Sequence, residues 1–142
     1  MRVREEIGSV PKIRQKIRIE SFKHNEVTFT VAFRSIVNVY AVIRKNTTAA
    51  LTSSQVINGL DENNKAVISQ HFKKVVNYGK RGEARIIFNL LDDFSNYTIS
   101  VSADDNMPFK PRLALDDSQV MTATFTTRIN PNVMKNADQV AT

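Results

Sequence analysis

Between Val27 and Phe33 every odd position is a large apolar residue and every even position is threonine or alanine. Successive side chains of a strand point to opposite faces, so this period of two predicts a strand with one wholly apolar face. Such a face needs a second layer to cover it. The same period runs through residues 11–20, where Lys12, Arg14, Lys16 and Arg18 alternate with Ile13, Gln15, Ile17 and Ile19. Residues 37–44 are more uniformly apolar, as expected near the centre of a sheet, and which of their faces points inward is ambiguous. Residues 68–76 and 83–90 form two further strands, joined by the turn Asn77-Tyr78-Gly79-Lys80-Arg81-Gly82, whose glycines permit positive φ. Residues 97–103 and 120–129 bring the set to seven, which predicts an all-β, antiparallel two-sheet sandwich.

One short helix is expected between the third and fourth strands. Thr52-Ser53-Ser54-Gln55 is a capping-box pattern, and Gly59 is placed to end the turns that follow. Val56, Ile57 and Leu60 would then pack on an edge of the sandwich. A chain of 142 residues with 42% hydrophobic and 24% charged side chains is globular and of single-domain size. The candidate domain is 11–129, with 1–10 as an N-terminal linker and 130–142 as a C-terminal linker or tail. The absence of cysteine excludes disulfides, thiolate nucleophiles and cysteine-ligated zinc. No apolar run approaches the roughly 20 residues of a membrane span, so no membrane insertion is expected. The opening MRVREEIGSVPK also lacks the apolar stretch of a secretion signal, so export would require a signal upstream.

The net charge of +6 is concentrated at the start, in Arg2, Arg4, Lys12, Arg14, Lys16 and Arg18. A basic strand face guards an edge strand against sheet-to-sheet pairing, or else it binds a polyanion. No aromatic residue is interleaved for base stacking, which argues against nucleic acid. His24 and His71 have no adjacent nucleophile, and no catalytic residue or cofactor site is assigned. Three acidic pairs, Asp92-Asp93, Asp104-Asp105 and Asp116-Asp117, have no compact calcium-ligand spacing and are expected to be solvated turn residues. Asn46 and Asn96 begin Asn-x-Thr sequons and are candidate glycosylation sites. The loop 104–117 is the candidate contact element. Two prolines stiffen it, and Met107 and Phe109 offer apolar anchors beside Lys110 and Arg112.

Leu91 is followed six residues later by Tyr97, then by Ile99, Val101 and Ala103. This spacing resembles the E–F corner of fibronectin type III domains. Pro11 before the first strand and Thr124, Phe125, Thr126 and Thr127 in the last also fit that family, so the resemblance covers residues 11–129. It implies a seven-stranded immunoglobulin-like sandwich with the helix between strands C and C′, and with Tyr97 as the corner tyrosine above Leu91. There is no tryptophan, so Phe29 or Phe33 would fill the usual tryptophan space, and Asp92-Asp93-Phe94-Ser95 replaces the usual proline and glycine. Residues 39–43 and 51–61 resemble variants found in large repeat-bearing surface proteins of ciliates. The resemblance implies a non-catalytic extracellular structural or adhesion module, a spacer whose partners are neighbouring modules or copies of itself. The alternative is a basic adaptor for nucleic acid, acidic glycan or acidic protein. Integrin recognition is not expected, since Arg81-Gly82 is followed by Glu83, placed to begin a strand.

Overall fold

Val27, Phe29, Val31 and Phe33 are each at most 1% exposed because their face meets that of a second sheet. In the computed structural model, which describes residues 9–108 and 111–132, the elements are β1 (Ile13–Phe22), β2 (Val27–Phe33), β3 (Asn38–Lys45), α1 (Ser53–Ile57), β4 (Phe72–Val76), β5 (Glu83–Phe88), β6 (Asn96–Asp104) and β7 (Met121–Thr126). The strands form two antiparallel sheets, ordered β1-β2-β5 and β4-β3-β6-β7. Together they make a β-sandwich with one short helix among the described residues. The core interleaves the β2 residues with Ala84, Ile86 and Phe88 of β5, Val39, Ala41 and Ile43 of β3, and Tyr97, Ile99, Val101 and Ala103 of β6. Each fully buried large apolar side chain contributes about 1.5–3 kcal/mol, so these facing layers supply the main driving force.

Three strands are shorter than expected, β5 by its last two residues, since it ends at Phe88. Ser69–His71 is a 3-10 turn, so β4 begins only at Phe72, opposite Val42. β7 ends at Thr126 because the next two amides leave the ladder, Thr127 N–H bonding Ser95 O at 2.9 Å and Arg128 N–H bonding Lys23 O at 3.2 Å.

The helix does not sit at a sandwich edge as expected. The chain after β3 crosses the outer face of the four-stranded sheet, where Leu51 and Val56 bury against Tyr40 and Val42. Ser53 Oγ lies 2.6 Å from Ser102 Oγ. This second layer explains β3, whose residues 38–44 are all buried: one face meets the core and the other meets the crossover. Thr52 and Gln55 form the capping box, and Gly59 follows the helix at φ +67°. The buried Arg44 pins the crossover through an ion pair to Glu62 at 3.2 Å.

The register fixes two poles. Ile13 lies opposite Phe33 and Asn38 opposite Asp104, so the β2–β3, β4–β5 and β6–β7 loops cluster where β1 starts. Asn96 lies opposite Thr126, so the β1–β2 turn and β5–β6 loop cluster where β7 ends.

Candidate functional site

Lys12, just before β1, and Arg14, Lys16 and Arg18 on this edge strand are all exposed. Arg2 and Arg4 lie outside the described residues. They do not all share one direction, because β1 makes two register shifts against β2 between Ile13 and Arg18. A bulge adds a residue to one strand and re-aims the side chains beyond it. Arg18 therefore stands opposite Thr30 on the outer face, where Gln15 also bonds Thr30 Oγ1 at 3.1 Å. Lys16 instead lines a cleft beside residues 118–122, and Arg14 turns to the N-terminal pole.

At that pole the fold makes a site the sequence did not disclose. Arg14 meets Arg34, Ile36, Tyr78 and Arg81 around a groove of about 680 Å³. The Arg14 guanidinium donates to the Arg81 carbonyl. Tyr78 is 75% exposed and Ile36 is 54% exposed. Beneath them Asn77 is buried and locks the loops together: its Oδ1 accepts from Val37 N–H at 2.6 Å, and its Nδ2 donates to Ser35 O at 2.8 Å and Gly82 O at 3.0 Å. Among the described residues none of Arg14, Arg34, Lys80 and Arg81 has a carboxylate partner within ion-pair distance. The arrangement can hold an anionic or aromatic group. The available sequence signal was a tyrosine in a basic glycine turn.

Half of the 104–117 contact loop turns inward. Arg112 Nε donates to the carbonyl of half-buried Met107 at 2.9 Å, and its Nη1 sits 3.9 Å from Asp104. Phe109 and Lys110 lie outside the described residues. The expectation that Asp104 and Asp105 are solvated is wrong, since they are 4% and 8% exposed. Asp104 accepts from Asn38 Nδ2 at 2.6 Å and from the Tyr40 hydroxyl at 2.7 Å, and Asp105 accepts from Leu113 N–H at 3.2 Å. Burial, then the bond to Asp104, pushes the Tyr40 hydroxyl up to about 12. Asp117 accepts from Ser53 N–H, tying this loop to α1. Among the described residues no three histidine or acidic side chains are grouped to hold a metal ion.

The C-terminal pole holds the remaining residues. Tyr97 is 2% exposed and Leu91 5%, and the Tyr97 hydroxyl accepts from Asp92 N–H at 2.8 Å. His71 rests edge-on against the Tyr97 ring, and burial lowers its pKa. Asn46 and Asn96 are exposed neighbours, Asn46 N–H bonding Asn96 O at 2.9 Å. Leu90 and Phe94 hold left-handed φ of 59° and 43°, although each is 68% exposed.

No protein-family model matches the chain, and no curated protein matches it. Among solved structures it is similar to the sensor domain of the anti-sigma factor RsgI4 of Pseudobacteroides cellulosolvens. The short form of that domain aligns with 86% of this chain and 98% of its own, at 11% identity and a TM-score of 0.45. The long form aligns with 83% and 91%, at 12% identity and a TM-score of 0.42.

Proposed function

We propose that this chain is a non-catalytic extracellular structural and adhesion module, a divergent fibronectin type III-like domain that spaces and contacts neighbours in a larger surface or filament-forming protein. The observation that carries the reading is the placement of the ends: β1 starts at one pole and β7 finishes at the other, so linked copies would extend along one axis. The strand order and the Tyr97–Asp92 bond at the corner support the family resemblance. Catalysis has little support, since Asp104, Asp105, Asp117 and Ser53 are engaged in bonds that hold loops and layers together. Among the described residues no helix is long and apolar enough to cross a membrane. Antibodies against the chain are expected to label intact, unpermeabilised cells of the source organism. Labelling that requires permeabilisation would refute the extracellular assignment.

A second reading, a basic adaptor for a polyanion, is favoured by the arginines of the N-terminal groove, which have no carboxylate partner among the described residues. It predicts that a single-stranded oligonucleotide binds with steep salt dependence. The triple variant Arg14→Gln, Arg34→Gln, Arg81→Gln should then flatten the slope of log affinity against log salt by about 2. Binding that is absent, or indifferent to salt and to the triple variant, removes this reading and leaves the first.

A further inference from the structure

The exposed apolar side chains are not scattered. Among the described residues eight large hydrophobics are markedly exposed, and six of them lie at the poles: Val10, Ile36 and Tyr78 at the N-terminal pole, and Leu90, Phe94 and Ile129 at the C-terminal pole. Solvated single apolar residues are ordinary, but their segregation to opposite ends of a sandwich leaves two apolar patches facing along one axis. The second patch is also strained. Leucine and phenylalanine in the left-handed region are disfavoured by their Cβ groups, yet the β5–β6 loop holds both there and keeps both side chains outward. The loop is fastened at the residue after Leu90 and at Phe94 itself, Leu91 N–H to Asn25 O at 3.0 Å and Phe94 N–H to Arg128 O at 3.0 Å.

The charges at the two ends differ in kind. The N-terminal pole presents Arg34, Lys80 and Arg81 without carboxylate partners among the described residues. At the C-terminal pole Lys45 is already paired with Asp92 at 2.8 Å and Lys23 with Glu26 at 3.9 Å, while Arg128 stacks over the Phe22 ring at 4.8 Å. Asp93 is exposed and has no basic partner among the described residues. One end therefore offers apolar groups beside cations that have no carboxylate partner among the described residues, and the other offers apolar groups beside Asp93, which has no basic partner among them.

We propose that the two poles are the complementary faces of a head-to-tail contact between copies of this chain, with Leu90 and Phe94 of one copy seated against Ile36 and Tyr78 of the next and Asp93 near the basic rim. This inference rests on the spacer reading above and gives it a mechanism. A contact between unlike faces does not close on itself at two copies, so it propagates as an open chain. An isologous contact between like poles would stop at a dimer.

Sedimentation velocity across the micromolar to millimolar range tests the geometry. The mass-average size of the unaltered chain is expected to rise with concentration past that of a dimer. Phe94→Ser disables one face and Tyr78→Ser the other, and both positions are exposed, so circular dichroism should show each variant folded. Each variant alone is expected to remain monomeric. Their equimolar mixture is expected to form one-to-one pairs and go no further, since only one intact face of each kind remains. The proposal is overturned if the unaltered chain stays monomeric throughout, if either variant alone still associates, or if the mixture does not pair. A monomeric chain that still labels intact cells would discard the contact and leave the spacer reading standing.

Discussion

Asp104→Ala is expected to lower stability by about 4 kcal/mol, since two buried donors lose their acceptor at about 1–3 kcal/mol each. Those donors are the Asn38 amide and the Tyr40 hydroxyl, on residues 3% and 4% exposed. Asp104→Asn keeps the shape and one acceptor oxygen, so about 2 kcal/mol is expected. Denaturant titration reads both, through a lowered midpoint at unchanged slope. A loss below about 1 kcal/mol for the alanine variant would mean that the network is solvated. A pH arm isolates Tyr40. The fold favours its neutral phenol, whose pKa rises from 10.0 to about 12, so its contribution is complete below pH 10 and is lost as pH climbs through about 12. Tyr40→Phe should flatten the stability decline over that window; an identical decline in both proteins would assign it to other groups.

The same aspartate shows where sequence reading stops. Period two identified β2 because one of its faces is wholly apolar, and the resemblance at the E–F corner singled out Tyr97, Ile99, Val101 and Ala103 of β6, all of which lie in the core. The outward set of β6 is Thr98, Ser100, Ser102 and Asp104, a pattern that reads as a solvent face. All four are nonetheless buried, because returning segments cover them: the crossover supplies Thr47 O for Thr98 and Ser53 for Ser102, and Asn38, Tyr40 and Arg112 surround Asp104. Local pattern reports polarity, and burial depends on a segment that returns from elsewhere in the chain. The ambiguity of β3 has the same cause, since Tyr40 and Val42 are as buried as Val39 and Ile43. The helix was legible from its cap, but the face it covers was not. The N-terminal groove needed still more. Arg14 and Arg81 stand 67 positions apart, and only the pairing of β1 with β2 and the Asn77 lock bring them together. The bulges of β1, which disperse its basic residues, have no local signature in an alternating run of lysine, arginine and isoleucine.

Gly82→Ala is expected to cost about 4 kcal/mol, combining roughly 1–2 for a left-handed residue with roughly 1–3 for forced overlap. Gly82 has φ +73°, and a Cβ there would stand 2.0 Å from the carbonyl oxygen of Phe33. That oxygen belongs to the end of a fully buried strand, so it cannot retreat without moving β2 against the core. Gly59→Ala is the internal control. Its φ of +67° carries the same backbone penalty, but its Cβ would meet the Phe72 ring at 3.2 Å, and a half-buried ring can shift by a few tenths of an ångström. About 1–2 kcal/mol is therefore expected at Gly59, and the difference between the two variants isolates the clash at the pole. Equal losses would show that the β4–β5 turn can move away from Phe33. The groove could not then be a preformed surface, because Tyr78 and Arg81 ride on that turn and Asn77 bonds Gly82 O to hold it in place. A loss at Gly82 well beyond that at Gly59 instead makes the pole rigid, so that whatever binds there meets Tyr78, Ile36 and the arginines already in position and loses little conformational freedom in ordering them.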